Sequence, residues 1–355
     1  MSGLTHSLGG MAEPQQIEPV DALRRIAFVL ERARAGQYRV KAFRQAVATV
    51  IATARDELEQ RAAAGTLAEL PGIGKSTEAV ITQALSGQRP DYLQTVEAKY
   101  PDRMVEGGEQ VRAALRGDCH SHSDWSDGGS PIPEMVASAM ELGHDYLVLT
   151  DHSPRLRVAN GLSAARLTEQ LGVVDAINTH LDGSFTLLKG IEVDILDDGG
   201  LDQSEEMLDR LDVRVASVHS KLAMASAPMT RRMIGAIKNP RTNILGHCTG
   251  RLTGGSRGTR GQSSFDAAAV FAACAEHDVA VEINSRPERC DPPDDLLAQA
   301  RDAGCLFSID SDAHAPGQLD LLQFGAARAE QFDIPLDRIV NTWPKERLLE
   351  WAARR

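Results

Sequence analysis

The sequence predicts an α/β fold, a barrel of seven strand-helix units preceded by a small all-α domain. Three observations carry this. From residue 117 onward, short β-prone runs alternate with helical patterns. Six of the ten histidines stand in short polar motifs at the ends of those runs. The first ninety or so residues instead show helical apolar spacing around a Pro-Gly-Ile-Gly turn.

In the helical part, Val20, Leu23, Ile26, Ala27 and Leu30 recur at helical spacing, and Val40, Phe43, Val47, Val50 and Ile51 form a second run. In GTLAELPGIGKSTEAVITQALSG, Pro71 and two glycines interrupt two helical stretches, and Gly87 stops the second. This is a helix-hairpin-helix pattern, placing a domain at residues 17–87. Gly72 and Gly74 leave room for a phosphate to approach the backbone, where the amides and dipole of the next helix would meet it. Lys75 adds a positive charge. Residues 24–55 carry eight basic groups and only Glu31 as an acid. A solvated helix face is the plain reading of that run. Beside the PGIG turn, DNA binding through backbone phosphates is favoured. Residues 88–116, with Pro90, Pro101, Gly107 and Gly108, read as a linker with one short helix.

Strands are expected at about 117–122, 145–150, 185–193, 213–218, 242–246, 279–283 and 305–310, with helical patterns such as EMVASAMELG and FDAAAVFAACAEHD between them. Strands separated by helices pair in parallel, and seven such units close a barrel whose chemistry sits at the C-terminal strand ends. The barrel domain is expected to run over residues 117–355.

Composition bounds the function. The chain has room for one large core and a small second domain. Five cysteines without paired short spacing indicate neither a disulfide framework nor a thiolate zinc site. No run of eighteen apolar residues occurs, and the first sixteen residues lack a signal-peptide pattern. A cytoplasmic protein without membrane contact is expected. Residues 1–117 hold 15 of the 38 Lys and Arg but only 14 of the 50 Asp and Glu, so the barrel is strongly acidic.

The candidate ligands fall at the strand ends. Asp118, His120 and His122 alternate on one face of an extended segment, with Asp127 just beyond in WSDG. His152 follows Asp151, Glu192 ends LLKGIEVDI, His219 and His247 end the next two runs, and Asp312 and His314 end the last. Imidazoles and carboxylates delivered from separate strands assemble a cluster of divalent ions. Asp118 is better placed to orient a ligand than to be one. His6, His144, His180 and His277 lie outside this pattern.

The stretches GDCHSHSDWSDG, TDHS, GLSAARL, LLKGIEVDIL, ASVHS, ILGHCTGR, VEINSRPER, SDAH and NTWP resemble the PHP (polymerase and histidinol phosphatase) family, most closely the PHP domain of bacterial family X DNA polymerases. YRVKAFRQA and LPGIGKS resemble the small helical domain of the same polymerases. The resemblance implies a distorted (βα)7 barrel in which three divalent metal ions, zinc or manganese, hydrolyse phosphoesters with activated water. One ion would use His120, His122, Glu192 and Asp312, a second Glu192, His219 and His247, a third Asp127, His152 and His314. Arg251 and Lys221 are candidates for phosphate oxygens. The chain departs from the polymerases in having only the linker where they carry the nucleotidyl-transfer domain. The lyase lysine found in some of them falls at Val80, which forms no Schiff base. The expected function is a metal-dependent phosphoesterase on DNA ends, of the 3′-5′ exonuclease or 3′-phosphatase type used in DNA repair. The alternatives are a histidinol-phosphate-type small-molecule phosphatase and a noncatalytic DNA-binding adaptor, against which the complete ligand set argues.

Overall fold

The computed structural model describes residues 17–255 and 258–353, so the expectation about the first sixteen residues lies outside the described part. Two compact units divide after Asp102.

The first unit is helical: α1 (Pro19–Arg32), α2 (Gln37–Ala52), α3 (Arg55–Ala64), α4 (Lys75–Leu85) and α5 (Asp91–Lys99). Pro19 opens α1, where its missing N–H costs nothing. The apolar stripe of α1 (Leu23, Ile26, Leu30) packs on Phe43 and Val47 of α2, Val80 and Ile81 of α4, and Leu93 and Val96 of α5. Val80, at the position of the absent lysine, is fully buried in this core. Gly65 ends α3 at φ +69°. The expected linker is shared between the units, because α5 belongs to the helical core whereas α6 (Glu109–Ala114) buries Val111 in the second unit.

The second unit holds a seven-stranded parallel sheet in the order β1-β2-β3-β4-β5-β6-β7. The strands are β1 (Gly117–Ser121), β2 (Tyr146–Leu149), β3 (Thr186–Asp194), β4 (Val213–Ser217), β5 (Ile244–Leu245), β6 (Ala280–Asn284) and β7 (Leu306–Asp310). After α6, the helices are α7 (Ile132–Glu141), α8 (Ala164–Leu181), α9 (Glu205–Leu208), α10 (Ser226–Ile237), α11 (Ala267–Glu276), α12 (Asp294–Asp302), α13 (Leu322–Gln331) and α14 (Lys345–Ala353). Each expected strand is present within one or two residues of its expected bounds, β5 being the shortest.

The β1/β7 seam is closed largely by side chains. Asp118 accepts from the Ser311 amide and hydroxyl, and Asp310 accepts from the Cys119 amide at 3.0 Å. The Asn341 amide donates to Gly117 O at 3.1 Å and to Ile309 O, while its oxygen accepts from Ile309 N. Further along, His122 N donates to Ala313 O at 2.8 Å. The opposite end of the barrel is plugged by Trp343, Leu348 and Trp351. Arg214 and Asn243, at the starts of β4 and β5, donate to Ala352 O and hold α14 there. Among the described residues, no helix is long and apolar enough to cross a membrane.

Candidate metal centre

The C-terminal strand ends bring together all nine side chains expected as ligands. At the centre is Glu192, at the end of β3 and 1% exposed. Its Oε1 lies 2.9 Å from His247 Nε2 and 3.1 Å from His219 Nε2. Its Oε2 lies 2.8 Å from His152 Nδ1, 3.3 Å from His120 Nε2 and 3.6 Å from His122 Nε2. Five imidazoles thus face one carboxylate. On one side Asp312 Oδ1 lies 3.5 Å from His122 Nε2. On the other, Asp127 Oδ1 lies 3.4 Å from both His152 Nε2 and His314 Nε2. His120 and His122 are out of solvent, whereas the Asp127 side chain is 35% exposed and marks the open side.

The donor set fits divalent ions. His120 Nε2, His122 Nε2 and Glu192 Oε2 are buried without a hydrogen-bond partner among the described residues, an arrangement that costs free energy unless something binds them. Three groups have ligand atoms all within 4.8 Å of one another: His122, Asp127, His152 and His314; His120, His122 and Asp312; His152, Glu192 and His219. His122 and His152 each stand in two groups, so the division among ions implied by the resemblance is less sharp in the fold than on paper. Mixed imidazole and carboxylate donors suit zinc or manganese.

The electrostatics follow from this crowding. Burial alone would raise Glu192, but the imidazoles of His219, His120 and His152 hold it well below the usual carboxylate range. Burial likewise works against protonated His152, yet Glu192 and Asp127 outweigh it and hold that imidazole at about 10. His120 and His219 are raised in the same way, against burial and chiefly by Glu192. Burial and the neighbouring His314 and His152 push His122 down to about 3. His122 is therefore a neutral imidazole, ready to donate a lone pair.

Several residues that shape the site were not singled out from the sequence. The His120 ring donates from Nδ1 to Glu282, and the His219 ring donates from Nδ1 to Asp194 at 2.5 Å. Both bonds fix the tautomer that leaves Nε2 free. Glu282 also accepts from the His247 amide. Asp151 accepts from Ser123 N at 2.9 Å, Ser123 Oγ at 2.6 Å and Gln170 Nε2 at 2.6 Å, pinning the segment that carries Asp127. A usable signal exists for Glu282: Glu282 and Asn284 repeat at a strand end the spacing of two seen in His120 and His122.

The three expected catalytic residues have the following partners. Asp118 does not touch a ligand ring. It receives the His120 amide at 3.0 Å and closes the seam to Ser311, so Glu282 takes the orienting role. Burial raises Asp118 to about 7 despite its bonds to Ser311 and His120 N. Arg251 spends its guanidinium on the Arg289 and Cys290 carbonyls. Lys221 is exposed and paired with Asp197 at 2.5 Å. Neither hydrogen-bonds a candidate ligand among the described residues. Two cations stand among the candidate ligands: Arg289, 5% exposed, whose Nε donates to Asp312 Oδ2 at 3.0 Å, and Arg286, whose Nη1 donates to Asp312 O at 2.8 Å and lies 3.2 Å from His314 Nδ1.

In the helical unit, the turn before α4 is built as the sequence suggests, with Gly72 at φ +78° and Gly74 capping α4. The two glycines differ: a Cβ at Gly72 would meet Gln45 at 3.2 Å, whereas Gly74 faces open space. Lys75 is exposed at the start of α4. The basic run is partly spent on ion pairs, Arg44 with Glu31 at 2.7 Å, Arg32 with Asp102 at 2.6 Å, Arg25 with Glu97 at 3.1 Å and Arg55 with Glu18 at 2.5 Å.

Residues 118–286 match the PHP domain, and residues 15–90 match a helix-hairpin-helix domain. The chain is 36% identical over 242 residues to the DNA polymerase/3'-5' exonuclease PolX of Bacillus subtilis, covering 65% of this chain and 42% of that relative's length. It is 28% identical over 249 residues to the probable phosphatase YcdX of Escherichia coli, covering 67% of this chain and 94% of that protein. Among solved structures, histidinol phosphate phosphatase from Lactococcus lactis, complexed with zinc, L-histidinol and phosphate, aligns at a TM-score of 0.43 and 17% identity. That alignment covers 68% of this chain and 95% of the phosphatase.

Proposed function

Because this chain carries a PHP domain behind a helix-hairpin-helix domain, we propose that it is a metal-dependent phosphoesterase that trims or cleans the 3′ ends of DNA in the cytoplasm. The observation that carries the reading is Glu192 ringed by five imidazoles, with buried ligand atoms left unpartnered. Three divalent ions, zinc or manganese, would be held by His120, His122, Glu192 and Asp312, by Glu192, His219 and His247, and by Asp127, His152 and His314. When bound, such ions lower the pKa of water and neutralise phosphate oxygens. Glu282 and Asp194 keep His120 and His219 in the donating tautomer. Asp127 and His314, the most exposed of the set, border the side from which a phosphoester enters. No side chain is needed as nucleophile.

The DNA preference rests on the helical unit. Gly74 in open space and the exposed Lys75 at the start of α4 suit a backbone phosphate, and the B. subtilis relative is described as a polymerase and 3'-5' exonuclease. A small-molecule phosphatase of the histidinol-phosphate type is the second reading, favoured by the match to 94% of a probable phosphatase. An activity panel with manganese or zinc separates them, comparing 3′-ended DNA, 3′-phosphorylated DNA, histidinol phosphate and an aryl phosphate. The proposal expects DNA to be turned over with the highest kcat/KM. Turnover of histidinol phosphate with no DNA hydrolysis would replace it by the second reading.

A further inference from the structure

Asp312 is a divided carboxylate. Its Oδ1 faces the cluster, 3.5 Å from His122 Nε2 and 3.5 Å from His314 Nδ1. Its Oδ2 receives two hydrogen bonds, from Arg289 Nε at 3.0 Å and Asn284 Nδ2 at 3.1 Å. Asp312 itself sits at φ +51°, a left-handed conformation that Asp tolerates better than most residues and that aims the carboxylate inward.

The segment that delivers Arg289 is unusually well fastened. Arg251 donates from Nε to Arg289 O at 2.9 Å and from Nη2 to Cys290 O. Asp291 accepts from Thr249 Oγ at 2.6 Å and Thr249 N at 3.2 Å, and its carbonyl accepts from Asn284 N at 2.9 Å. Burying a guanidinium is costly, and a cation beside a dication site opposes ion binding by charge. The Nη1 of Arg289 is buried with no hydrogen-bond partner among the described residues. The bond the Arg289 side chain makes among the described residues is the one to Asp312, so its effect is argued through that carboxylate.

We propose that Arg289, with Asn284, withholds Oδ2 so that Asp312 meets a divalent ion through Oδ1 alone, and that Arg251 is a positioning residue holding Arg289 to that task. This rests on the cluster being a divalent-ion site. A carboxylate held to one oxygen leaves a coordination position open to water or a phosphoester oxygen and keeps the ion more electrophilic.

The full chain, stripped and reloaded with Co2+, provides the test, because cobalt's visible bands weaken as its coordination number rises. Cobalt per chain and visible absorbance would be measured without substrate for the wild type, Arg289→Met, Arg289→Lys and Arg251→Met. For Arg289→Met the proposal expects cobalt content to be kept and absorbance per cobalt to fall by up to about a third, since Oδ2 joins one ion of three. Arg289→Lys should recover part of the loss, since lysine keeps the charge and can offer one donor to Oδ2 in place of Nε. Arg251→Met should move the spectrum the same way by less, and it decides the matter if Arg289→Met does not fold. An unchanged spectrum with cobalt retained would overturn the proposal, and so would loss of cobalt from the variants, which would make Arg289 a plain anchor of the ligand. A wild type that shows this pattern without phosphoester hydrolysis would refute the proposed function and leave this inference standing.

Discussion

At the scale of residues, the site is organised by carboxylates that hold imidazoles in place. Glu282 holds the His120 ring by Nδ1 and the His247 amide at once, so Glu282→Gln should loosen two strand-end ligands together. Removing such a supporting partner typically weakens metal affinity by about 10- to 100-fold. Competition against a chelator should show that loss while circular dichroism stays unchanged. Protonation gives a second prediction. His120, His152 and His219 are held above their ordinary values, chiefly against burial and by Glu192. His152, held at about 10, is therefore protonated near neutral pH when no ion is bound, His120 and His219 are shifted in the same direction, and an ion must displace the protons they hold. Ion uptake should release protons, and affinity should fall as pH is lowered. Calorimetry in two buffers of different ionisation enthalpy would measure this, and uptake without proton release would contradict the charge distribution around Glu192.

At the scale of elements, ligands are placed by strand ends and by the short segments hung on them. The segment after β2 folds back so that Leu162 N donates to His152 O at 2.7 Å, and a Cβ on Gly161 would sit 1.9 Å from Ser153 O. Gly161→Ala should therefore force this turn apart, shift His152 and reduce hydrolysis by about 100-fold or more, as expected when a catalytic geometry moves by an ångström. A steady-state assay with a thermal melt would check it. This level also explains what was legible in the sequence. The nine candidate ligands stand out because alternation on an extended segment puts every second residue on one face, and the same polar ending recurs on strand after strand. The partners of those ligands were harder to read. Glu282 reaches His120 across 162 positions, and only barrel closure makes them neighbours. Asp118 looked like an orienting group by spacing, but the β1/β7 seam needs acceptors, and Ser311 claims it. Arg251 and Lys221 carried the right charge at the right strand ends. Local carbonyls and Asp197 satisfy them first. The α5 helix looked like linker because its two core residues, Leu93 and Val96, are too few to set a pattern.

At the scale of the whole molecule, the proposed function asks an acidic chain of net charge −12 to hold a polyanion through a small basic surface. Ion pairs consume Arg25, Arg32, Arg44 and Arg55, whereas Arg39, Lys41 and Lys75 are exposed with no acidic partner among the described residues. Lys75→Ala should weaken DNA binding evenly across sequences and reduce the slope of log affinity against log salt by about one. Fluorescence anisotropy over a salt series reads both quantities, and a loss confined to one base sequence would contradict backbone binding. The central claim, that the ligand cluster hydrolyses phosphoesters only when loaded with divalent ions, is tested most directly on the metal-stripped full chain. Zinc or manganese would be added back in measured equivalents, and release of nucleotide or phosphate from 3′-ended DNA followed alongside an Asp312→Ala variant. The account predicts no hydrolysis without metal, a rise that saturates at a small whole number of ions per chain, and no recovery in Asp312→Ala; full activity in the stripped protein would contradict it.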